Sequence, residues 1–144
     1  MARVRDLLTR KGPNVVTVPT TASVLDAAQL MNEHRIGGVV VTEGGRPAGI
    51  FTERDILRRI VAAGVDPATT SVGEVMTTAM LTITPDTPIA ECRALMSDRR
   101  VRHLPVIGAS GLEGLVTAGD VMAWEVAESQ TTIQQLTDYV HFSR

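Results

Sequence analysis

The sequence is short of several things that would narrow a function. It has one cysteine, Cys92, so no disulfide can form within the chain, as expected of a protein kept in a reducing compartment such as the cytosol. Aromatic residues make up 3% of its 144 residues, so the core has to be built from Val, Ile, Leu, Met and Ala. That scarcity argues against a stacked-ring site and favours an aliphatic clamp for any ligand. Aliphatic runs such as Val39-Val40-Val41 are far too short to cross a bilayer. The charged start, MARVRDLLTRKG, lacks the apolar stretch of a signal peptide, so no membrane association is expected. Positive charge is not in excess. The formal net charge of −2 excludes a broad nucleic-acid-binding surface but leaves room for a local basic cleft.

Catalytic and metal signatures are missing too. His34, His103 and His141 are scattered, with no H-E-x-x-H spacing, and zinc-ligand spacing is absent. Gly44-Gly45-Arg46 lacks the G-x-x-x-x-G-K-[ST] of a nucleotide hydrolase. Cys92 falls on the apolar face of a helix, where packing explains it better than nucleophilic chemistry. No cofactor is required by anything in the chain, and the reading is of a non-enzyme.

What the sequence does have is a repeat. A shift of 65 residues aligns it with itself, without a gap, from Thr17 to Leu57. The identities include Thr17/Thr82, Met31/Met96, Arg35/Arg100, Val41/Val106, Gly49/Gly114, Thr52/Thr117 and Asp55/Asp120. Each copy reads as β-α-β-β-α, a mixed α/β (α+β) unit too small to bury a core alone. The first strands are expected over residues 15–18 and 81–84, and the first helices over 23–33 and 88–98. Ser23 and Thr87 are candidate caps, and Pro88 suits a first helical position. Hairpins over 38–52 and 104–117 turn at Gly-rich segments. The boundaries are residues 1–61 for the first repeat with its leading segment, 62–71 for a linker, 72–123 for the second repeat and 124–144 for a C-terminal helix. VRDLL and VGEVM read as matching short helices ahead of each copy. The last helix is expected to reach about Val140 and to pack on the body or on a second subunit.

The repeated element is GIFTERD, residues 49–55, and GLVTAGD, residues 114–120. Thr52 and Thr117 sit where a strand ends and a helix begins, where unpaired N–H groups and the helix dipole favour an anion. A carboxylate accepts hydrogen bonds only, which suits the paired hydroxyls of a ribose. The same spacing also makes a capping box, with the acid turned back onto the cap N–H. Both readings stand at this point.

The tandem unit ending in G-Φ-Φ-T-x-x-D-Φ, together with RHLPVI at residues 102–107, resembles the CBS-domain pair, named for cystathionine β-synthase. The resemblance covers roughly Val4 to Met122 and includes no catalytic domain. It implies two repeats packed through their sheets with pseudo-twofold symmetry, and two clefts that commonly hold adenine nucleotides or related adenosyl compounds. It implies Asp55 and Asp120 on ribose hydroxyls, with Thr52 and Thr117 near the ribose or phosphate. Basic residues before the second strand, here Arg102 and His103, are expected at the phosphates, and Arg54 is a further candidate. Arg102 and His103 align with Gly37 and Gly38, so the two clefts are expected to differ. Gly38 permits close approach of a ligand or a turn. The base is expected against Thr17, Val18, Thr82 and Ile83. The resemblance therefore implies a regulatory sensor of AMP, ADP, ATP or NAD, commonly a homodimer, acting on a partner protein not identifiable from the sequence. The alternative is a ligand-free structural or interaction module.

Overall fold

The structure is a computed structural model that describes residues 1–12 and 14–142. Its elements follow the repeat. In the first copy, β1 (Thr17–Pro19) leads to α2 (Val24–His34), then β2 (Gly38–Glu43) and β3 (Arg46–Thr52). α3 (Glu53–Asp55) follows and widens into π-helical turns over Ile56–Val61. In the second copy, α5 (Ile89–Arg99) leads to β4 (His103–Gly108), β5 (Gly111–Thr117) and α6 (Ala118–Phe142). The leading helices are α1 (Val4–Lys11) and α4 (Val72–Val75).

The first sheet has three strands in the order β1-β2-β3, with β1 parallel to β2 and β2 antiparallel to β3. The second has two, β4 and β5, antiparallel. The strand expected over residues 81–84 is reduced to one parallel bridge, Ile83 to Val106. Pro105 explains the loss. Ile83 donates to the Pro105 carbonyl at 3.0 Å and accepts from Ile107 N–H at 2.8 Å. The next rung needs an N–H from Pro105 toward the Leu81 carbonyl, and proline has none. The equivalent residue in the first copy is Val40, which pairs with Thr17. Beyond the bridge, Thr84 N–H is taken by Thr87 Oγ1 at 3.0 Å. Thr87 therefore closes a turn instead of capping α5, and Pro88 holds the cap position just outside that helix. Ser23 does cap α2, accepting from Asp26 N–H at 3.0 Å.

Two cores form, one per repeat, and the leading helices are exchanged between them. Val4 and Leu7 of α1 pack with Ile83, Ile89, Cys92, Leu104, Val106 and Val116 of the second repeat. Val72 of α4 packs with Val18, Val24, Ala27, Met31, Val39, Val41 and Phe51 of the first. Backbone bonds repeat the exchange: Val4 N–H donates to Thr87 C=O and Val72 N–H to Ala22 C=O, both at 2.8 Å. The glycine of each repeated motif is where the exchanged helix lands. A Cβ on Gly114 would lie 2.6 Å from Leu8 Cδ2, and one on Gly49 would lie 2.7 Å from Met76 Sδ. Each fully buried aliphatic side chain contributes about 1.5–3 kcal/mol. Neither repeat can keep its share of that without a helix from the far end of the other.

The repeats meet where β2 and β4 begin. Gly38 and His103, equivalent residues, stand against each other there, and a Cβ on Gly38 would come within 2.9 Å of His103 Nε2. The junction has room for one imidazole, which accounts for glycine in one copy and histidine in the other.

Candidate functional site

A cleft of about 480 Å³ opens between the repeats. Its floor is the start of α6, with Thr117 and Asp120. One wall is the segment ahead of β1, Asn14 to Val16, and the other holds Arg102 and His103; the loop Arg35 to Gly38 and Glu53 complete it. Lys11, at the end of α1, reaches in because α1 belongs to the second repeat's core.

At the floor the capping box is closed. Asp120 Oδ2 accepts from Thr117 N–H at 2.9 Å, and Thr117 Oγ1 accepts from Asp120 N–H at 3.1 Å. Ala118 N–H donates to the Arg102 carbonyl at 2.9 Å. Three of the N–H groups expected to await an anion, those of Thr117, Ala118 and Asp120, are thus engaged within the chain, and the cleft's cationic side chains become the leading groups for an anion. Lys11 Nζ bonds Asp120 Oδ2 at 2.6 Å and the Leu115 carbonyl at 2.7 Å. Arg35, Arg102 and Lys11 give the cleft three cations against Glu53 and Asp120. His103 is held neutral: burial pushes its imidazole below the usual value, and neighbouring Arg102 adds to the effect.

The same two acceptors in the first repeat, the Ile50 carbonyl and the Asp55 carboxylate, are satisfied differently. Ile50 and Thr77 exchange backbone bonds of 2.9 Å in both directions. Asp55 Oδ1 accepts from Thr77 Oγ1 at 3.2 Å, with Arg59 Nε at 3.7 Å, and Oδ2 accepts from Thr52 N–H at 2.9 Å. Asp55 is 8% exposed and is the one charged residue among the buried set of described residues. Reaching the Ile50 carbonyl requires the Thr77 backbone to move, and the hydroxyl on Asp55 belongs to that same bridged residue. Opening Asp120 requires one lysine side chain to swing.

The CBS domain family model matches residues 4–62 and again residues 72–127. The chain belongs to the CBS-domain family. It is 36% identical over 146 residues to the CBS domain-containing protein CBSX3, mitochondrial, of Arabidopsis thaliana, covering 95% of this chain and 71% of that one. It is 32% identical over 141 residues to the CBS domain-containing protein YhcV of Bacillus subtilis, covering 98% of this chain and 97% of the relative. Among solved structures, a CBS-domain protein of Burkholderia ambifaria, proposed to act in signal transduction, aligns with a TM-score of 0.84 at 36% identity, over 88% of this chain and 95% of that one.

In this CBS pair the residues singled out from sequence divide into three groups. Gly38, Arg102, His103, Thr117 and Asp120 line the cleft together. Thr52 and Asp55 form the closed box of the first repeat, and Arg54 turns outward, its Nη1 3.4 Å from the Arg100 carbonyl. Thr17, Val18, Thr82 and Ile83 lie outside the cleft lining. Val18 and Ile83 point inward as core residues, which leaves Thr17 and Thr82 exposed. The apolar wall of the cleft is two residues earlier, at Val15 and Val16, both half-buried, because the chain crosses the cleft before it enters β1. Lys11 carries no motif signal and emerges only with the fold; Arg35 is a repeat identity and Glu53 lies inside GIFTERD, but only the fold assigns them to the cleft. Cys92 is a core residue whose thiol burial pushes up to about 11, which removes it from chemistry. Among the described residues no three His, Cys, Asp or Glu side chains are grouped to hold a metal, and no helix is long and apolar enough to cross a membrane.

Proposed function

We propose that this CBS pair is a regulatory, non-catalytic module that binds an adenine nucleotide (AMP, ADP, ATP or NAD) in the Asp120 cleft. Occupancy is passed on through the arrangement of the two repeats or of two copies of the chain. The observation that carries this reading is the contrast between the two motifs. In the second repeat both acceptors are covered by the flexible side chain of Lys11; in the first, the Ile50 carbonyl is covered by Thr77 backbone and Asp55 by the Thr77 hydroxyl on that same bridged segment. A ribose takes Asp120, the released Lys11 joins Arg35 and Arg102 on the phosphates, and the base lies along Val15 and Val16. The cleft volume fits one nucleotide-sized ligand. Coupling follows because the cleft walls come from both repeats, so a ligand favours one placement of them over others.

The test is calorimetric titration and thermal melting with AMP, ADP, ATP, NAD and S-adenosylmethionine. The expected result is one site per chain and a raised melting midpoint with at least one of them. Absence of any shift at millimolar concentration would sink the sensor reading. That outcome favours the second reading, a ligand-free interaction module, whose support is that both motif carboxylates are already satisfied within the chain.

A further inference from the structure

α6 has 25 residues and is about 37 Å long at 1.5 Å per residue. Only its first turns belong to the body. Val121 is buried, and Trp124 packs on the second core with the Arg10 guanidinium 3.9 Å above its ring. Glu125 pairs with Arg93 at 2.6 Å and Glu128 with Arg10 at 3.5 Å. Every residue from 128 to 141 is exposed. The projecting half continues from turns already nucleated on the body, but it gains no packing there, and most helical stability in proteins comes from packing. It needs a partner along its side.

The sequence of the helix indicates which partner. Met122, Val126, Ser129, Ile133, Leu136 and Val140 fall at alternating steps of four and three. Written as a heptad, Val126, Ile133 and Val140 take the a positions, and Met122, Ser129 and Leu136 the d positions. Met122, Val126, Ile133 and Leu136 are 65%, 51%, 63% and 61% exposed, so the stripe is presented outward. In a parallel pair, β-branched residues at a, as here, with leucine at d, as at Leu136, favour two strands. The flanking e and g positions of the projecting part are Gln130, Thr132, Thr137 and Tyr139, none of them acidic or basic. Two identical helices therefore meet without like-charge repulsion, and no charge code selects a foreign partner.

We propose that the distal half of α6 pairs with the same segment of a second copy, parallel and in register. This rests on the reading above that two copies associate, but its test needs no nucleotide. Ser129→Cys places a thiol at a d position, facing its own copy across the pair. Cys92 is buried and stays out of the reaction. Gln135→Cys, on the outer face, is the control. Under mild oxidation at micromolar concentration, the Ser129→Cys chain is expected to cross-link roughly a hundredfold faster than the control, because facing thiols meet at an effective concentration near millimolar. Ile133→Asp with Leu136→Asp is expected to abolish that advantage and to reduce helicity, with the melting midpoint of the body unchanged. A dimeric mass with equal cross-linking of the two cysteine variants overturns the pairing and leaves association standing. A monomeric mass by light scattering overturns both.

Discussion

Gly38→Ala is the sharpest perturbation of the junction between the repeats. The added methyl would sit 2.9 Å from His103 Nε2, 3.0 Å from His103 Cδ2 and 3.1 Å from Thr52 Cγ2, all well inside ordinary contact. Gly38 is buried in β2 in register opposite Thr52, and the adjacent Gly37 carbonyl accepts from Glu53 N–H at 3.0 Å, so the strand cannot step aside. Overpacking of this kind costs about 1–3 kcal/mol. Against it stands a gain of about 0.5–1 kcal/mol from replacing glycine by alanine in a strand. The net expectation is a loss of about 1–2 kcal/mol, or about 2–8 °C in melting midpoint for a chain of this size. His103→Ala removes two of the three close contacts. In that background the glycine-to-alanine change is expected to be neutral, since only the Thr52 methyl remains near. Urea and thermal unfolding of the four proteins in the cycle give the coupling energy, expected at about 1–2 kcal/mol. If Gly38→Ala costs the same with and without His103, the imidazole does not pack on Gly38, and the account of why the two copies differ there is wrong.

Asp55→Ala is expected to destabilise the chain by about 1–3 kcal/mol, because a buried carboxylate bonded to Thr52 and Thr77 is lost, while nucleotide affinity stays within a factor of about two. Asp120→Ala is expected to weaken nucleotide binding at least about tenfold; equal binding losses in the two variants, measured by titration calorimetry, would contradict the assignment of one open cleft. Lys11→Met frees Asp120 and removes a phosphate partner, so adenosine should bind more tightly and ADP about tenfold less tightly, and parallel changes for the two ligands would refute the lysine's double role. His103 has a folded-state value lowered by burial, so the unfolded chain binds its proton first as pH falls. Stability should therefore be full above the ordinary histidine value near 6.5 and decline as pH drops through it toward the lowered native value. A bound phosphate raises the native value, so binding should take up a proton, readable as a buffer-dependent heat, and binding heats identical in all buffers would remove His103 from the phosphate site.

Much of the fold is legible because it depends on local pattern. The 65-residue shift pairs Gly49 with Gly114 and Asp55 with Asp120, and the helix faces show Val24, Ala27 and Met31 against Ile89 and Cys92 at helical spacing. The truncated strand is legible in hindsight, since Pro105 stands where Val40 donates to the ladder. The exchange of leading helices is not. VRDLL and VGEVM look like prefixes to their own repeats, and only long-range packing of Val4 and Val72 assigns each to the other. Gly38, Arg102, His103, Thr117 and Asp120 of the cleft are legible in sequence, but what covers each motif carboxylate is not, for the same reason. Lys11 lies 109 residues from Asp120, and Thr77 lies 22 from Asp55, so no motif window holds either pair.

The exchange also explains how a symmetric scaffold comes to have unequal clefts. The motif itself is duplicated and offers the same two acceptors in each copy, a carbonyl after the glycine and the capping carboxylate. What covers them is supplied by the exchanged segments, and these are not duplicates. α1 ends at Lys11, whose long side chain covers the Leu115 carbonyl and Asp120. α4 stops at Val75, and the chain beyond it adds Thr77 as an antiparallel bridge to Ile50, so that backbone covers the Ile50 carbonyl and the Thr77 hydroxyl covers Asp55. Selection on the segments ahead of each repeat can therefore open or close a cleft without touching the Thr-x-x-Asp residues. Grafting tests this directly: Thr77→Gly removes the hydroxyl on Asp55 but keeps the backbone bridge, so the first cleft should stay closed to nucleotide. A second binding site appearing in that variant would show that the hydroxyl, and not the backbone, does the sealing.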